Sequence, residues 1–106
     1  MKDQPKIAVL GGGSWATAIV KMLSENLNTV GWYMRSVYAL EHIKINKHNP
    51  NYLSSAELHP AQLDLSNDIN DVVSNYDILI FAIPSAFLTL ELTKLTQGLE
   101  NKIIFS

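Results

Sequence analysis

Short apolar runs alternate along the chain with longer segments in which apolar residues recur every three or four positions. The apolar runs predict buried β-strands at residues 6–10, 29–34, 63–65, 77–83 and 102–105. The run at 77–83 is apolar on both faces, which predicts a central position in a sheet. The pattern therefore favours a sheet that is covered on both sides.

Helical periodicity and capping residues occupy the intervals between the strands. Four helices are predicted. The first covers residues 14–27 and the second begins at Ser36. The third is short, capped at Ser66–Asp68 and extending to Val73, and the fourth covers residues 85–98. The apolar stripe of the first helix consists of Trp15, Ala18, Ile19, Met22 and Leu23, at three- and four-residue spacing. The buried face expected of the last helix is Phe87, Leu90 and Leu95, although Phe87, near the end of a strand, can instead contact a ligand.

Strands and helices alternate about every 20 residues, which predicts an α/β fold with a Rossmann-type parallel sheet and helices on both faces. The expected strand order is 3-2-1-4, with a fifth strand that begins at Lys102. Residues 46–62 contain several Asn and Pro residues and are expected to form a long loop with at most one short turn. Because no helix follows the fifth strand, residues 1–106 are expected to be part of a domain, truncated at that strand, from a longer protein.

Composition excludes several classes of protein. The chain has 106 residues, 47% of them hydrophobic, no cysteine and a formal net charge of −2, which is typical of one globular domain. The basic residues are scattered, so nucleic-acid binding is not expected. Without cysteine there is no disulfide, thiolate nucleophile or zinc–thiolate site. No segment approaches the ~20 apolar residues of a membrane span, and no signal peptide is seen, so a soluble, cytoplasmic protein is expected.

A glycine-rich turn between the first strand and the first helix carries the strongest functional signal. Gly11, Gly13 and Ala16 match the G-x-G-x-x-G/A pattern of dinucleotide-binding sites. In that pattern the first glycine permits the tight turn, the second lets a pyrophosphate approach the backbone, and a small third residue lets helix and strand pack closely. The free N–H groups of the helix N-terminus then face the phosphates. The sequence therefore predicts an NAD or NADP site.

The position about 20 residues further on bears on the choice between the two cofactors. An NAD-specific site has Asp or Glu there to bind the ribose 2′-hydroxyl, and this chain has Met34–Ser36 instead. Arg35 can cover the adenine or pair with a 2′-phosphate. The residue therefore favours NADP or tolerance of both cofactors, with a solvated arginine at a helix start as the structural alternative.

Other polar and aromatic residues have structural interpretations. The three histidines share no metal-ligand spacing, so no metal site is predicted. The acids Asp68, Asp71 and Asp77 fall at or beside predicted helix and strand ends and are expected to be solvated. Trp32 is expected in the core, whereas core packing and cofactor contact are about equally expected of Trp15.

Four segments make the chain resemble the N-terminal part of NAD(P)-dependent glycerol-3-phosphate dehydrogenases. They are Val9–Thr17 (VLGGGSWAT), Trp32–Arg35 (WYMR), Ile45–Leu53 (INKHNPNYL) and Ile78–Phe87 (ILIFAIPSAF), in the order and spacing of that family. Trp15 is the most specific element, because dinucleotide-binding folds in general do not require an indole there. Together the segments extend over nearly the whole chain.

The resemblance implies a cofactor site and a reaction. The residues that it places at the cofactor, with Gly11 and Gly13, are Ser14 and Trp15 at the phosphates, Arg35 at the adenosine end, Pro84 and Phe87 near the nicotinamide, and Asn49 and Tyr52 in the loop that flanks the cleft. The implied reaction interconverts sn-glycerol 3-phosphate and dihydroxyacetone phosphate by hydride transfer, for glycerophospholipid synthesis. The implied partners are the cofactor and this phosphorylated three-carbon substrate, and a homodimer is left open.

The sequence also departs from the family pattern. Ala16 stands where glycine is common, and Tyr52–Ser54 reads Y-L-S where the family has Y-L-P. The family's lysine–glycine pair after the strand that begins at Lys102, and its second lysine in a C-terminal helical domain, are not in these residues. No catalytic residue is therefore assigned, and the chain alone is expected to be inactive. A non-catalytic NAD(P)-binding sensor, and a dehydrogenase of similar N-terminal design that acts on a hydroxy or sugar acid, remain alternatives.

Overall fold

The sheet consists of five parallel strands, and a computed structural model describes residues 4–50 and 57–105. Its strands are β1 (Ile7–Leu10), β2 (Val30–Tyr33), β3 (Leu63–Ser66), β4 (Ile78–Phe81) and β5 (Ile103–Phe105). Their order is β3-β2-β1-β4-β5, and every neighbouring pair is parallel. The predicted α/β Rossmann-type fold and strand order are confirmed, and β4 lies inside the sheet as its apolar run predicted.

A helix lies in the connection between each pair of successive strands, as parallel pairing requires. They are α1 (Ser14–Ser24), α2 (Val37–Asn46), α3 (Ile69–Asn75) and α4 (Ser85–Leu92), with a 3₁₀ turn at Pro60–Gln62 inside the predicted loop. None of the helices in the described part of the chain combines the length and apolar character needed to cross a membrane.

Side-chain caps begin the two helices that follow β2 and β3. The Ser36 hydroxyl accepts a hydrogen bond from the Ala39 N–H at 3.1 Å and begins α2. The Asp68 carboxylate accepts one from the Asn70 N–H at 3.0 Å and begins α3. Both caps were predicted, and each satisfies a backbone donor that the helix leaves unpaired.

Hydrophobic cores lie on both faces of the sheet. Successive strand residues point to opposite sides, so Val9 and Trp32 pack with α1 and α2, while Ala8 and Tyr33 pack with α3. Trp32 is fully buried, as predicted. The glycine turn that follows β1 is thus anchored between two packed layers, at the carboxyl edge of the sheet.

Helix α1 packs on the sheet through small residues, and two members of its apolar stripe are exposed. Trp15 and Met22 are 73% and 58% exposed, while Ile19 and Leu23 pack partly against the core. The residues that α1 buries are Ala16, Thr17, Val20 and Ser24. Small side chains bring the start of the helix close to β1, which is the role that the third position of the glycine motif predicted for Ala16.

The prediction for α4 is correct at the first residue of the helix but wrong in its cap and in its end. The helix begins after Pro84, without a side-chain cap from Ser85, and it ends at Leu92 instead of continuing to Gly98. The chain beyond the helix is bound to α3, because the Asn70 side-chain oxygen accepts a hydrogen bond from the Thr96 N–H at 2.8 Å. The segment predicted to continue the helix to Gly98 is therefore hydrogen-bonded to α3 instead.

The buried face predicted for α4 is also wrong. Phe87 and Leu90 are 46% and 53% exposed, and Leu95 lies beyond the helix, partly packed against the core around α3. The one residue that α4 buries is Glu91, which is 3% exposed. A carboxylate can be buried only when hydrogen bonds and opposite charges compensate its desolvation, and Glu91 has both.

Candidate functional site

Gly11 makes the turn that leads the chain from β1 towards α1. Its φ of 134° lies in the region that side chains disfavour. A Cβ at this position would lie within 2.8 Å of the Ala82 carbonyl carbon and nearer still to its oxygen. The Gly11 N–H donates to the Tyr33 carbonyl at 2.9 Å, so the turn is tied to the end of β2. Only glycine fits this position.

Gly13 is glycine for a different reason. Its φ of −84° and ψ of −170° suit any residue, and no described atom lies within 4 Å of the place where its Cβ would be. It is the N-cap of α1, where no side chain of the described residues caps the helix and no acidic residue stands in the first turn. The helix N-terminus therefore presents free N–H groups and a partial positive charge beside open space, as phosphate binding requires.

Buried side chains hold the carbonyl groups of all three glycines. The indole Nε1 of Trp32 donates to the first at 2.6 Å, the amide Nδ2 of Asn49 to the second at 3.1 Å, and the hydroxyl of Thr17 to the third at 2.7 Å. Asn49 also donates to the Thr17 oxygen at 2.9 Å. These bonds fix the turn, so its geometry exists before a ligand binds. Sequence reasoning found Trp32 only as a core residue, and Asn49 only through the family resemblance.

Replacement of Asn49 by alanine is expected to destabilise the fold and loosen the glycine turn. The substitution leaves the partly buried Gly12 carbonyl and the buried Thr17 hydroxyl without this donor, which costs about 1–3 kcal/mol. Urea unfolding of the wild type and of Asn49→Ala measures the difference. Asn46→Ala, at an exposed position of α2, is the matched control and is expected to stay within about 0.5 kcal/mol of the wild type. Equal stability of the two variants would contradict this role.

A cavity of about 290 Å³ opens beside the turn, at the carboxyl ends of β1, β2 and β4. Its walls contain five of the residues predicted at a cofactor: Gly11, Gly13, Arg35, Pro84 and Phe87. The other lining residues are Gly12, Tyr33, Met34, Ser36, Ala39, Ile83 and Glu91. Such a cleft outside the carboxyl ends of the strands, where the strand order reverses, is where open α/β sheets bind ligands.

The remaining predicted residues lie elsewhere. Ser14 and Trp15 begin α1, at the rim and outside the cavity walls, and both are exposed. Tyr52 falls outside the described residues, so its prediction has no structural outcome. The exposed indole of Trp15 at the free end of α1 is placed where a ligand on the helix N-terminus could contact it.

Arg35 and Phe87 stack at one end of the cavity. The Arg35 guanidinium carbon lies 5.3 Å from the centre of the Phe87 ring, which is a cation–π distance. Arg35 follows β2 and Phe87 is in the first turn of α4, so a ligand that contacts one can contact the other. The resemblance placed these two residues at opposite halves of the cofactor, whereas the structure brings them together.

Glu91 completes this end of the cavity, and sequence reasoning missed it. Its carboxylate accepts a hydrogen bond from the Tyr33 hydroxyl and one from the Lys94 ammonium at 2.9 Å, and it lies 4.0 Å from Arg35. The available signal was its spacing, because Glu91 stands four residues after Phe87 and therefore on the same helix face. An acid thus lies among the groups that face the cavity.

The surroundings of Glu91 shift two acid–base equilibria. Burial alone raises the pKa of its carboxyl, but the hydrogen bonds from Tyr33 and Lys94 and the charges of Lys94 and Arg35 outweigh it, so the pKa lies below its usual value of 4.5. Burial, together with the adjacent carboxylate, raises the pKa of the Tyr33 hydroxyl. At neutral pH the pair is therefore an ionised carboxylate and a neutral phenol.

These pKa shifts predict an acid-sensitive contribution to stability. Because the carboxyl pKa of Glu91 is lower in the folded state than in the unfolded state, the contribution is present above pH 4.5 and is lost as the pH falls through the folded value. Glu91→Gln is therefore expected to be less stable than the wild type at pH 7, with the gap narrowing towards pH 3. Urea unfolding across this range measures the gap, and a gap independent of pH would contradict the assignment.

Other titratable groups form no second site in the described part of the chain. Within residues 4–50 and 57–105, no group of three or more His, Cys, Asp or Glu side chains is arranged to hold a metal ion. The acids Asp68, Asp71 and Asp77 are exposed, as predicted.

Comparisons with known proteins all find similarity to glycerol-3-phosphate dehydrogenases. A family model described as NAD-dependent glycerol-3-phosphate dehydrogenase N-terminus matches residues 6–105. Over 106 residues the chain is 35% identical to glycerol-3-phosphate dehydrogenase [NAD(P)+] from Pseudomonas fluorescens and 35% identical to that from Pseudomonas aeruginosa. Each match includes 100% of this chain and 31% of the relative, so the chain spans about a third of the length of these curated relatives.

Solved structures that resemble this chain are also glycerol-3-phosphate dehydrogenases. Glycerol-3-phosphate dehydrogenase from Saccharomyces cerevisiae matches with a TM-score of 0.82 and 26% identity, over 96% of this chain and 33% of that one. The Plasmodium falciparum enzyme matches with a TM-score of 0.76 and 26% identity, over 95% of this chain and 31% of that one. The residues that the family model matches, 6–105, include the glycine turn and the cavity beside it.

Proposed function

Because the chain belongs to the NAD-dependent glycerol-3-phosphate dehydrogenase family, we propose that it binds NAD(H) or NADP(H) in the cavity beside the glycine turn. The observation that carries this proposal is Gly13. Neither its backbone angles nor a protein neighbour requires glycine there, whereas a pyrophosphate that approaches the backbone does. The free N-terminus of α1 supplies the N–H groups that such an anion needs.

Each predicted residue has a physical task in this site. Gly13 and Ser14 offer backbone N–H groups to the pyrophosphate, with Trp15 beside them at the rim. Arg35 flanks the adenosine. Phe87, which the resemblance places near the nicotinamide, is assigned to the same end of the cavity because it stacks on Arg35. Pro84 lines the wall after β4 and keeps the chain extended there. The resemblance adds Tyr52 to the loop that flanks the cleft.

The reaction proposed for the whole protein is the interconversion of sn-glycerol 3-phosphate and dihydroxyacetone phosphate. A bound nicotinamide would supply the hydride acceptor or donor for C2 of this substrate, and the residues of the cavity beside the glycine turn would hold the cofactor. Residues 1–106 would contribute part of the dinucleotide-binding domain, which orients the cofactor and neutralises its pyrophosphate. The proposal for the whole protein also includes the phosphorylated three-carbon substrate and a role in glycerophospholipid synthesis. It further includes a cytoplasmic location and assembly as a homodimer.

Energy transfer from tryptophan to reduced cofactor tests the binding step. Trp15 lies at the free end of α1 and Trp32 lies behind the turn, so a bound nicotinamide cofactor should accept excitation from both. Titration of this chain with NADH and with NADPH is expected to give saturable transfer. Absence of saturation up to millimolar concentrations of either cofactor would contradict the proposal for this chain.

The substrate class needs a separate assay. The complete gene product that contains this chain is incubated with NADH or NADPH and either dihydroxyacetone phosphate or a set of keto acids, which are the oxidised forms of hydroxy acids and sugar acids. Oxidation of the reduced cofactor with dihydroxyacetone phosphate is expected. Turnover only with the acids would instead favour a dehydrogenase of similar N-terminal design.

A further inference from the structure

The acid that NAD-specific sites carry at the end of the second strand is absent from that strand but is present in the cavity. The chain has Met34, Arg35 and Ser36 after β2, and none of these can bind a ribose 2′-hydroxyl as a carboxylate would. Glu91, from α4, lies against the last residue of β2 and against Arg35. Chain topology thus brings an acid from a distant segment to this end of the site.

Glu91 is held as a fixed negative charge. It is 3% exposed and lines the cavity, and its two oxygens are bound by the Tyr33 hydroxyl and the Lys94 ammonium. The Tyr33 bond crosses from α4 to the sheet, so the carboxylate cannot swing away without breaking it. A buried charge acts more strongly on its neighbours than an exposed one, because less water screens it.

The consequence concerns Arg35. Its side chain is 57% exposed, lies 4.0 Å from the Glu91 carboxylate and stacks on Phe87. A 2′-phosphate that paired with Arg35 would come close to this carboxylate, and the two anions would repel each other. A 2′-hydroxyl carries no charge and meets no such repulsion. Arg35 alone favours NADP, but Arg35 beside Glu91 does not.

We propose that Glu91 is a specificity-determining residue that makes this site bind NAD(H) in preference to NADP(H). It does so by partly neutralising Arg35 and by opposing the charge of a 2′-phosphate. Lys94 acts in the other direction, since its ammonium compensates the same carboxylate. The inference rests on the proposed function, because it assumes that the adenosine lies at the Arg35 end of the cavity.

Two substitutions, one that removes a negative charge and one that removes a positive charge, test the proposed role of Glu91 on this chain. Energy-transfer titrations give the dissociation constants of NADH and NADPH for the wild type, Glu91→Gln and Lys94→Gln. The wild type is expected to bind NADH more tightly. Glu91→Gln is expected to tighten NADPH binding on the order of tenfold and to change NADH binding little. Lys94→Gln is expected to weaken NADPH binding further, because the carboxylate loses a compensating charge.

The control is Glu25→Gln, an identical charge change at an exposed position at the end of α1, on the opposite edge of the sheet. It is expected to leave the ratio of the two constants unchanged. A general loss of structure in Glu91→Gln would weaken the binding of both cofactors. A charge effect changes the affinity for NADPH alone, and it changes that affinity in opposite directions in Glu91→Gln and Lys94→Gln. Lys94 does not line the cavity, so its variant remains informative even if Glu91→Gln fails to fold.

The outcomes separate the two proposals. If both cofactors bind and neither variant changes their ratio, or if the wild type prefers NADPH, the role of Glu91 is wrong and the cofactor site stands. If neither cofactor binds to the wild type, the proposed function of this chain fails and the role of Glu91 fails with it.

Discussion

Replacement of Gly13 by valine is expected to abolish cofactor binding while the fold persists. The backbone angles at this position suit a side chain, and the space where it would lie holds no described atom, so the protein itself does not resist the change. The valine would occupy the space that a pyrophosphate needs and would keep it from the N–H groups of α1. Loss of about two charge-assisted hydrogen bonds corresponds to an affinity at least about 100-fold weaker.

Two measurements establish this result. Energy-transfer titration gives the dissociation constant, and urea unfolding shows whether the fold is retained. Gly13→Ala serves as the graded variant, with an intermediate loss of affinity. Normal binding by Gly13→Val would show that no ligand approaches the backbone at Gly13, and the main support for the proposed site would be lost.

Replacement of Gly11 by alanine is expected to lower the free energy of unfolding, whereas replacement of Gly13 affects cofactor binding. The positive φ costs about 1–3 kcal/mol for a residue with a side chain. The new methyl group would overlap the Ala82 carbonyl, and relieving such a clash costs about 1–3 kcal/mol more. A free energy of unfolding lower by about 3 kcal/mol or more is therefore expected, which is a large part of the stability of a chain of this size.

The matched control is Gly13→Ala, the same substitution two residues later. It is expected to change the free energy of unfolding by less than about 1 kcal/mol, because neither strain nor overlap arises there. Thermal and urea unfolding of the two variants give the comparison directly. Equal stability of Gly11→Ala and the wild type would show that the turn does not have the geometry described.

The strands were predictable because their signal is local. Residues buried on both faces of a parallel sheet form continuous apolar runs, and each run between two turn segments marks one strand. Strand order followed from the right-handed crossover rule and the glycine turn. The strand ends differ by one or two residues, as at β4, where four residues pair with β1 while the apolar run is longer.

Helix α4 could not be predicted as well, because its environment is set by distant residues. Its apolar side chains suggested a buried face through Phe87 and Leu90, yet the helix turns Glu91 inward. That orientation depends on a hydroxyl from β2, 58 positions away in the sequence, and no local pattern contains this information. The segment that follows the helix likewise contacts a distant residue, Asn70 of α3.

The candidate site was predictable where backbone geometry defines it. Gly11 and Gly13 were assigned from a motif whose positions have separate physical reasons, and the structure gives each glycine its own reason. The side chains that hold the turn, above all Thr17 and Asn49, escaped residue-level reasoning because they act on carbonyl groups through the fold. Arg35 was placed at the correct strand end, but the acid beside it arrives from elsewhere in the chain.

The most direct measurement is a titration of isotopically labelled protein with NADH, followed through the backbone amide signals in NMR spectra. If the cofactor binds at the glycine turn, the amides of Gly12, Gly13 and Ser14 should shift most, with smaller changes at Arg35 and Phe87. Another cavity lies at the opposite edge of the sheet, where Asn28, Thr29 and Tyr76 contribute to its walls. The largest shifts in those residues, or no saturable shift at the glycine turn, would contradict cofactor binding at this site.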